Sequence, residues 1–206
     1  MKEFGTAIIL AGGKSSRMGF DKQFLKINER LLMDNLVQKL KPSFSEIIIV
    51  TNKPEEYKGL PVIVTQDVFV EIGPLAGIHA GLLKSNSHFS YIIACDMPNI
   101  NLEFIDYMKS QIECSDKKAS IARFKEWIEP FNAFYSRDII EPVEDFLELG
   151  GRSINRLLRD LDINFIDEKK AREFSPNWDM FYNLNTKADI NEYLEKVESI
   201  GGFAWK

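Results

Sequence analysis

The chain alternates short apolar runs with longer amphipathic segments, and this alternation limits the folds that it can adopt. The apolar runs cover residues 6–11, 46–51, 61–66 and 91–96, and nearly every position in them is apolar, as in strands buried on both faces. Helical periodicity marks the segments between and after them, at residues 31–40, 74–84 and 102–112. The pattern predicts βαβ units, and therefore a mostly parallel sheet with helices on both faces.

The second half of the chain carries a weaker form of the same pattern. Residues 118–124, 130–136 and 163–167 are predicted as strands, and residues 137–149 and 152–161 as helices with Gly150 and Gly151 between them. Thr186 and Asp189 have the spacing of a capping box, which predicts a last helix that ends near Ser199. We therefore expect one continuous α/β domain over residues 1–206.

Residues 7–25, AIILAGGKSSRMGFDKQFL, place two glycines and three cations directly after the first predicted strand. Ligands of open α/β sheets bind outside the carboxyl ends of the strands. Gly12 and Gly13 let backbone N–H groups approach a phosphate without a side chain in between. Arg17 offers a planar fork for phosphate oxygens, and Lys22 offers a point charge. This stretch predicts a site for a nucleoside triphosphate, with Lys14 as an accessory cation.

The spacing excludes the two commonest phosphate loops. In a P-loop the first glycine would fall on Ile8, and Gly12, Gly13 and Gly19 do not fit the dinucleotide fingerprint GxGxxG. The formal net charge is -5, so the chain has no general attraction for nucleic acid and must bind an anion through a local cluster.

The cysteine count and the hydropathy predict a cytoplasmic protein. Cys95 and Cys114 are too far apart for a CxxC motif, and a disulfide framework is not expected. The chain has no run of about 20 apolar residues, so we expect no transmembrane helix and no membrane partner.

Asp96 follows the fourth strand in the stretch YIIACDMP. It is therefore predicted at the same sheet edge as the glycine-rich stretch. Triphosphate chemistry needs a hard cation, and Mg²⁺ is usually held by one or two carboxylates together with phosphate oxygens. We predict Asp96 as the Mg²⁺ ligand; the alternative is an aspartate that caps the turn before Pro98.

Other polar residues and glycines follow the predicted strands or open the predicted helices. Asp67 follows the third strand, where a carboxylate can contact a bound nucleotide or remain solvated. The helix at residues 74–84 contains two glycines, which indicate close approach; we predict nucleotide contact at Gly77 and sheet packing at Gly81. Alternation in YNLNT aims Asn183 and Asn185 to one side, with helix capping as the alternative.

The stretch LAGGKSSRMGFDKQFL resembles LAGGxSxRMGxDKxxL, the signature of nucleotidyltransferases, and looks most like that of the molybdenum cofactor guanylyltransferases. TNKPEEY, QDVFVEIGPLAGIHAGL, CDMP and NLNT extend the resemblance, which is strong over residues 6–98 and weak over residues 99–180. It implies a three-layer Rossmann-like nucleotidyltransferase fold, with a nucleotide-binding half at 1–98 and an acceptor-side half at 99–206. It also implies Mg²⁺-dependent transfer of GMP from GTP to molybdopterin.

The resemblance also implies roles for individual residues. Catalytic roles fall on Arg17, Lys22 and Asp96. Nucleotide binding falls on Leu10, Ala11, Gly12, Gly13, Lys22, Asn52, Asp67, Gly77 and Asp96, with a turn role as the alternative for Asn52. Acceptor binding falls on Asn183 and Asn185. The expected partners are GTP, molybdopterin and, transiently, proteins that make or receive the cofactor.

Two alternative functions remain, and the role of one group of aromatic side chains is undecided from the sequence. DKQFL also resembles the PKQFL of cytidylyltransferases, which act on methylerythritol phosphate, and a related enzyme would use CTP with molybdopterin. The other rival is a non-catalytic nucleotide-binding regulator, against which the presence of both Lys22 and Asp96 argues. Aromatic side chains able to stack on a pterin, although a core role is commoner, are Trp127, Phe131, Phe134 and Trp178.

Overall fold

The computed structural model of the protein describes residues 3–11, 22–67, 69, 72–113 and 115–199, with the backbone alone for residues 22–29 and 197–199. The strands are β1 (Thr6–Leu10), β2 (Glu46–Val50), β3 (Ile63–Thr65), β4 (Phe89–Ala94), β5 (Ala119–Phe124), β6 (Trp127–Ser136) and β7 (Ile163–Asp167). The helices are α1 (Lys22–Leu40), α2 (Pro74–Lys84), α3 (Leu102–Glu113), α4 (Ile140–Glu148), α5 (Ile154–Arg159), α6 (Glu168–Phe174) and α7 (Lys187–Ser199).

A single sheet contains all the strands of the described residues, in the order β3-β2-β1-β4-β6-β5-β7. β1 pairs in parallel with both β2 and β4, β2 with β3, and β5 with β7. β6 lies antiparallel to β4 and β5, so it runs against every other strand of this sheet. The carboxyl ends of β1 to β4 therefore open at the same edge of the sheet as the amino end of β6.

Helices cover both faces of the sheet, as the alternation predicts. In β1, Ala7 and Ile9 pack in the core beneath α1, α3 and α6. Ile8 and Leu10 pack in a second core beneath α2, α4 and α5. The family's expected three-layer architecture is confirmed. Among the helices described, none is both long enough and apolar enough to cross a bilayer.

The predicted elements are present, with shifted ends. The third strand shortens to Ile63–Thr65, and the first helix begins at Lys22 instead of residue 31. The predicted helix at 137–149 divides into a short 3-10 helix at Arg137–Ile139 and then α4. α6 was not predicted from the sequence, because seven residues are too few to show a clear helical period.

Two predicted helix boundaries are confirmed by their hydrogen bonds. Thr186 N–H donates to Asp189 Oδ2 (2.8 Å), and Asp189 N–H donates back to Thr186 Oγ1 (3.1 Å), so the capping box forms with aspartate in the usual glutamate place. After α4, Gly150 has a φ of +80° and its N–H donates to the Leu147 carbonyl, which ends the helix.

Candidate active site

The polar residues that follow β2, β3 and β4 lie at the carboxyl edge of the sheet. Each of them stands two positions beyond the last residue of its strand. A backbone hydrogen bond from Ala11 N–H to the Val50 carbonyl (2.9 Å) continues the pairing of β1 and β2 beyond the strand ends. The structure thus brings together, along one edge, these residues that the sequence singled out: Leu10, Ala11, Asn52, Asp67 and Asp96.

Asp96 buries part of its carboxylate at that edge. Its Oδ1 is buried and has no hydrogen-bond partner among the described residues. Burial raises the pKa of the Asp96 carboxyl, and its own backbone N–H offsets part of that rise. A buried carboxylate oxygen without a partner costs free energy, and a bound cation would remove that cost.

Asp67, which lies on the other side of β1, resembles Asp96 in its burial and in the direction of its pKa shift. Its Oδ1 is buried without a hydrogen-bond partner in the described part of the chain, and burial raises the pKa of its carboxyl. Gly77, in the first turn of α2, lies beside it: a Cβ at residue 77 would be 3.6 Å from Asp67 Oδ1 and 3.3 Å from Leu10 Cδ2. A Cβ at Gly81 would be 2.5 Å from Ile8 Cγ2, so the predicted sheet packing at Gly81 is confirmed.

Residues 183–185 lie beside Asp96. Leu184 N–H donates to the Asp96 carbonyl oxygen at 2.8 Å. The Leu184 side chain is buried, whereas Asn183 and Asn185 are exposed, as are their neighbours Tyr182 and Thr186. That Asn183 and Asn185 point to one side stays a prediction. Asn185 Nδ2 donates to the Asn183 carbonyl (3.1 Å), and the capping of α7 falls to Thr186.

Most of the glycine-rich stretch lies outside the described residues. Gly12, Gly13, Lys14 and Arg17 lie outside the described residues. Lys22 is the first residue of α1, and its side chain is also outside the described part. Their roles in binding phosphate stay predictions.

The aromatic candidates divide into buried and exposed side chains. Phe134 is fully buried in the core, and Phe131 and Trp178 are partly buried against it. Trp127 is 62% exposed at the amino end of β6, which lies at the carboxyl edge of β4. A core role therefore explains Phe134 but not Trp127.

Three residues at the site were missed from the sequence: Asn99, Asn101 and Asn132. Each donates a side-chain N–H to a backbone carbonyl within residues 174–180, the segment that leads to Asn183. The position of Asn101 directly before a predicted helix was a usable signal for an N-cap. Asn132 has no local signal, because its environment forms only when distant strands pair.

The residues present fit a divalent cation held by few protein ligands. Within the described ranges, no group of three or more His, Cys, Asp or Glu side chains is arranged to hold a metal ion. Mg²⁺ usually binds through one or two carboxylates, substrate phosphates and water, so it does not need such a group. The unpartnered Oδ1 of Asp96 is a suitable ligand atom.

Comparisons with known proteins agree with this geometry. Residues 7–164 match the family model described as the MobA-like NTP transferase domain. A molybdenum cofactor guanylyltransferase from Syntrophotalea carbinolica is 48% identical over 97% of this chain and 95% of its own length. A probable molybdenum cofactor guanylyltransferase from Peptoclostridium acidaminophilum is 49% identical over 96% of this chain and 91% of its own length.

A solved structure shows the same fold at lower identity. Molybdopterin-guanine dinucleotide biosynthesis protein A from Archaeoglobus fulgidus matches with a TM-score of 0.76 at 22% identity, over 94% of this chain and 99% of its own. The family model covers more than half of the chain, and the two curated relatives align over nearly all of it. The chain therefore belongs to the molybdenum cofactor guanylyltransferase family of nucleotidyltransferases.

Proposed function

We propose that this protein transfers GMP from GTP to the terminal phosphate of molybdopterin and releases pyrophosphate. The observation that carries the proposal is the meeting of Asp67, Asp96 and residues 183–185 at one sheet edge, in a chain of this family. The two rival functions are not favoured, because the relatives at 48% and 49% identity are both named as guanylyltransferases.

The reaction is a phosphoryl-type displacement without redox chemistry. An oxygen of the acceptor phosphate attacks the α-phosphorus of GTP, and the bond from that phosphorus to the oxygen bridging to the β-phosphate breaks. Pyrophosphate leaves with the electron pair of that bond. Catalysis then depends on in-line alignment and on the neutralisation of charge.

The nucleotide half of the edge would hold GTP. The amides of Gly12 and Gly13, with Arg17 and Lys22, would neutralise the β- and γ-phosphates that leave. The nucleoside would lie toward β2 and β3, against Leu10, Ala11, Asn52, Asp67 and Gly77. The buried Asp67 oxygen supports a contact with the base, because guanine N1 and N2 carry two N–H donors and that oxygen has no partner in the described residues.

We assign Asp96 as the protein ligand of a divalent cation, with Mg²⁺ as the expected ion. When bound, the cation supplies charge neutralisation and orientation at the triphosphate. Asp96 itself supplies the carboxylate, and the hydrogen bond from the Leu184 N–H to the Asp96 carbonyl fixes its backbone. The position of residues 183–185 at that bond supports Asn183 and Asn185 as contacts of the acceptor.

The acceptor chemistry requires no general base from the protein. A phosphate monoester has a second pKa near 6. The acceptor phosphate is therefore largely deprotonated at neutral pH and can attack directly. The product must then pass to the proteins that use it, and we expect that contact to be transient.

A nucleotide comparison tests the proposal. Pyrophosphate release is measured with GTP or CTP, each with Mg²⁺ and with either molybdopterin or methylerythritol phosphate. We expect release only from GTP with molybdopterin. Release from CTP would establish the cytidylyltransferase alternative, and tight GTP binding without any release would establish the non-catalytic one.

A further inference from the structure

Three asparagine side chains attach one segment of the chain to the surroundings of Asp96. We call residues 174–185 the acceptor-side segment; it runs from the end of α6, through a short 3-10 helix at Asp179–Phe181, to Asn185. Each asparagine donates Nδ2 to a backbone carbonyl of this segment. The pairs are Asn101 with Phe174 (2.8 Å), Asn99 with Asp179 (3.2 Å) and Asn132 with Met180 (3.1 Å).

Asn132 is the most constrained of the three. It is 1% exposed and has a φ of +58°, a backbone conformation that asparagine tolerates better than most residues. The register between β5 and β6 shifts around it, which marks a bulge. Its Oδ1 accepts from the Tyr91 hydroxyl on β4 (2.6 Å), so both ends of the amide are used.

The other two asparagines belong to the loop between Asp96 and α3. Asn101 Oδ1 also accepts from Phe104 N–H (2.9 Å), so Asn101 caps α3 while it holds the segment. The Leu184 N–H bond to the Asp96 carbonyl (2.8 Å) fixes the far end of the segment to the same loop. The segment is thus held to the loop of Asp96 near both of its ends and to β6 in the middle.

We propose that Asn99, Asn101 and Asn132 are positioning residues that set where Asn183 and Asn185 stand relative to the Asp96 carboxylate. This inference rests on the proposed function for its effect on catalysis. The three asparagines act on the transfer through the acceptor-side segment, by fixing the acceptor phosphate at reacting distance from the α-phosphorus of GTP. Because a misplacement of about 1 Å can reduce a rate about 100-fold, such remote contacts carry a catalytic consequence.

Three variants remove the contacts one at a time. Asn132→Gly removes the amide and keeps a residue that adopts positive φ freely. Asn101→Ser retains an N-cap oxygen for α3 and is too short to reach Phe174. Asn99→Ala removes its bond to Asp179. The control is Asn86→Ala, which removes an Nδ2 hydrogen bond to the carboxylate of Glu46 (2.7 Å), at the amino end of β2.

The kinetic test separates the two substrates. For Asn132→Gly we expect kcat/KM for the acceptor to fall about 10- to 100-fold. We expect the Kd of GTP to change less than about twofold, because the side-chain hydrogen bonds of Asn99, Asn101 and Asn132 reach none of the residues proposed to bind the nucleotide. Asn99→Ala and Asn101→Ser should show smaller changes of the same kind, and Asn86→Ala should behave as the wild type. Equal losses for GTP and acceptor, or no loss at all, would overturn the proposal.

Amide hydrogen exchange gives a second readout that does not depend on activity. In each of the three variants the Leu184 N–H should exchange faster than in the wild type, while the amides of β1 keep their protection. An unchanged exchange rate at the Leu184 amide would contradict the proposal whether or not the enzyme is active. If the wild type releases no pyrophosphate, the proposed function fails, and the exchange result still decides whether the asparagines position the segment. Should Asn132→Gly fail to fold, the other two variants carry both measurements.

Discussion

At the scale of single residues, the candidate site contains two carboxylates, and each of them has one buried oxygen. The sequence placed Asp67 and Asp96 correctly, because a residue after a parallel strand must lie at the carboxyl edge. It could not predict that each would have an oxygen buried without a partner among the described residues. α2 approaches Asp67 at Gly77, and the Leu184 N–H binds the Asp96 carbonyl, so the surroundings of both residues include parts of the chain that are distant in sequence.

Asp96→Asn tests the metal assignment while it preserves the shape of the side chain. A catalytic cation contributes several kcal/mol to the transition state. Since 1.4 kcal/mol corresponds to a factor of ten, we expect kcat to fall at least about 100-fold, with GTP still bound. Pyrophosphate release and GTP titration measure the two effects. The matched control is Asp106→Asn at an exposed aspartate of α3, and wild-type turnover of Asp96→Asn would remove Asp96 from the mechanism.

The same variant has an expected effect on stability. Burial raises the pKa of the Asp96 carboxyl above its ordinary 3.8, so the folded state binds the proton more tightly than the unfolded state. The wild type therefore loses stability as the pH rises from the ordinary pKa of an aspartate to the raised pKa of Asp96 in the folded state. Without divalent cations, Asp96→Asn should unfold at a temperature at least as high as the wild type at neutral pH, and the difference should close as the pH falls. Thermal melts at neutral and acidic pH check this.

Trp127 is the exposed side chain among the four aromatic residues predicted as able to stack on a pterin. Because it is 62% exposed at the amino end of β6, it contributes little to the core. A stacked ring contributes about 0.5–1.5 kcal/mol, so Trp127→Ala should raise the KM of the acceptor up to about tenfold and leave GTP affinity unchanged. Trp127→Phe should retain most of the affinity. Leu149→Ala, at a residue that is 88% exposed after α4, is the control. An unchanged KM in Trp127→Ala would show that Trp127 does not contact the acceptor.

At the scale of elements, those with a clear local sequence pattern could be predicted, whereas features that depend on pairing or packing with distant segments could not. β1 to β4 and their helices follow from apolar runs and periodicity, because strands buried on both faces are apolar throughout. The direction of β6 and its bulge depend on partners far along the chain, and no local pattern encodes them. α6 depends on packing, since its buried Ala171 lies against the core and its seven residues would not form a stable helix alone.

The two glycines of α2 give a matched pair of substitutions. Gly81→Ala places a Cβ at 2.5 Å from Cγ2 of Ile8, a buried side chain of β1. Overpacking costs about 1–3 kcal/mol, which exceeds the helical gain of about 1 kcal/mol for alanine over glycine. Gly77→Ala has its nearest contact at 3.3 Å, with the end of the Leu10 side chain. We expect Gly81→Ala to lower the free energy of unfolding and Gly77→Ala to leave it nearly unchanged.

Gly77→Ala then tests the nucleotide contact by itself. If the base or ribose of GTP approaches residue 77, the added methyl group weakens GTP binding in a protein of normal stability. Denaturant unfolding gives the stability of both variants, and titration gives the Kd of GTP. A Gly77→Ala protein with normal GTP affinity would restrict Gly77 to a packing role.

At the scale of the whole molecule, strands from both of the predicted halves, residues 1–98 and 99–206, belong to one sheet. β4, from the nucleotide half, pairs with β6 of the acceptor half. The core beneath α1 and α3 contains Ile9 and Tyr91 together with Phe104 and Phe134, so neither half buries its apolar surface alone. The sequence predicted the halves from their motifs. It could not predict this shared core, because that depends on strand order.

We therefore expect one cooperative unfolding transition for residues 1–206, and the tryptophans provide the test. All three of them, Trp127, Trp178 and Trp205, lie in the acceptor half, whereas the predicted GTP contacts lie before residue 98. Fluorescence and far-UV circular dichroism should give the same midpoint in denaturant. GTP with Mg²⁺ at 100 times its Kd should raise the free energy of unfolding by about 2.7 kcal/mol by both probes. If GTP stabilised only part of the dichroism signal and left the fluorescence transition in place, the halves would unfold independently and the single-domain prediction would be wrong.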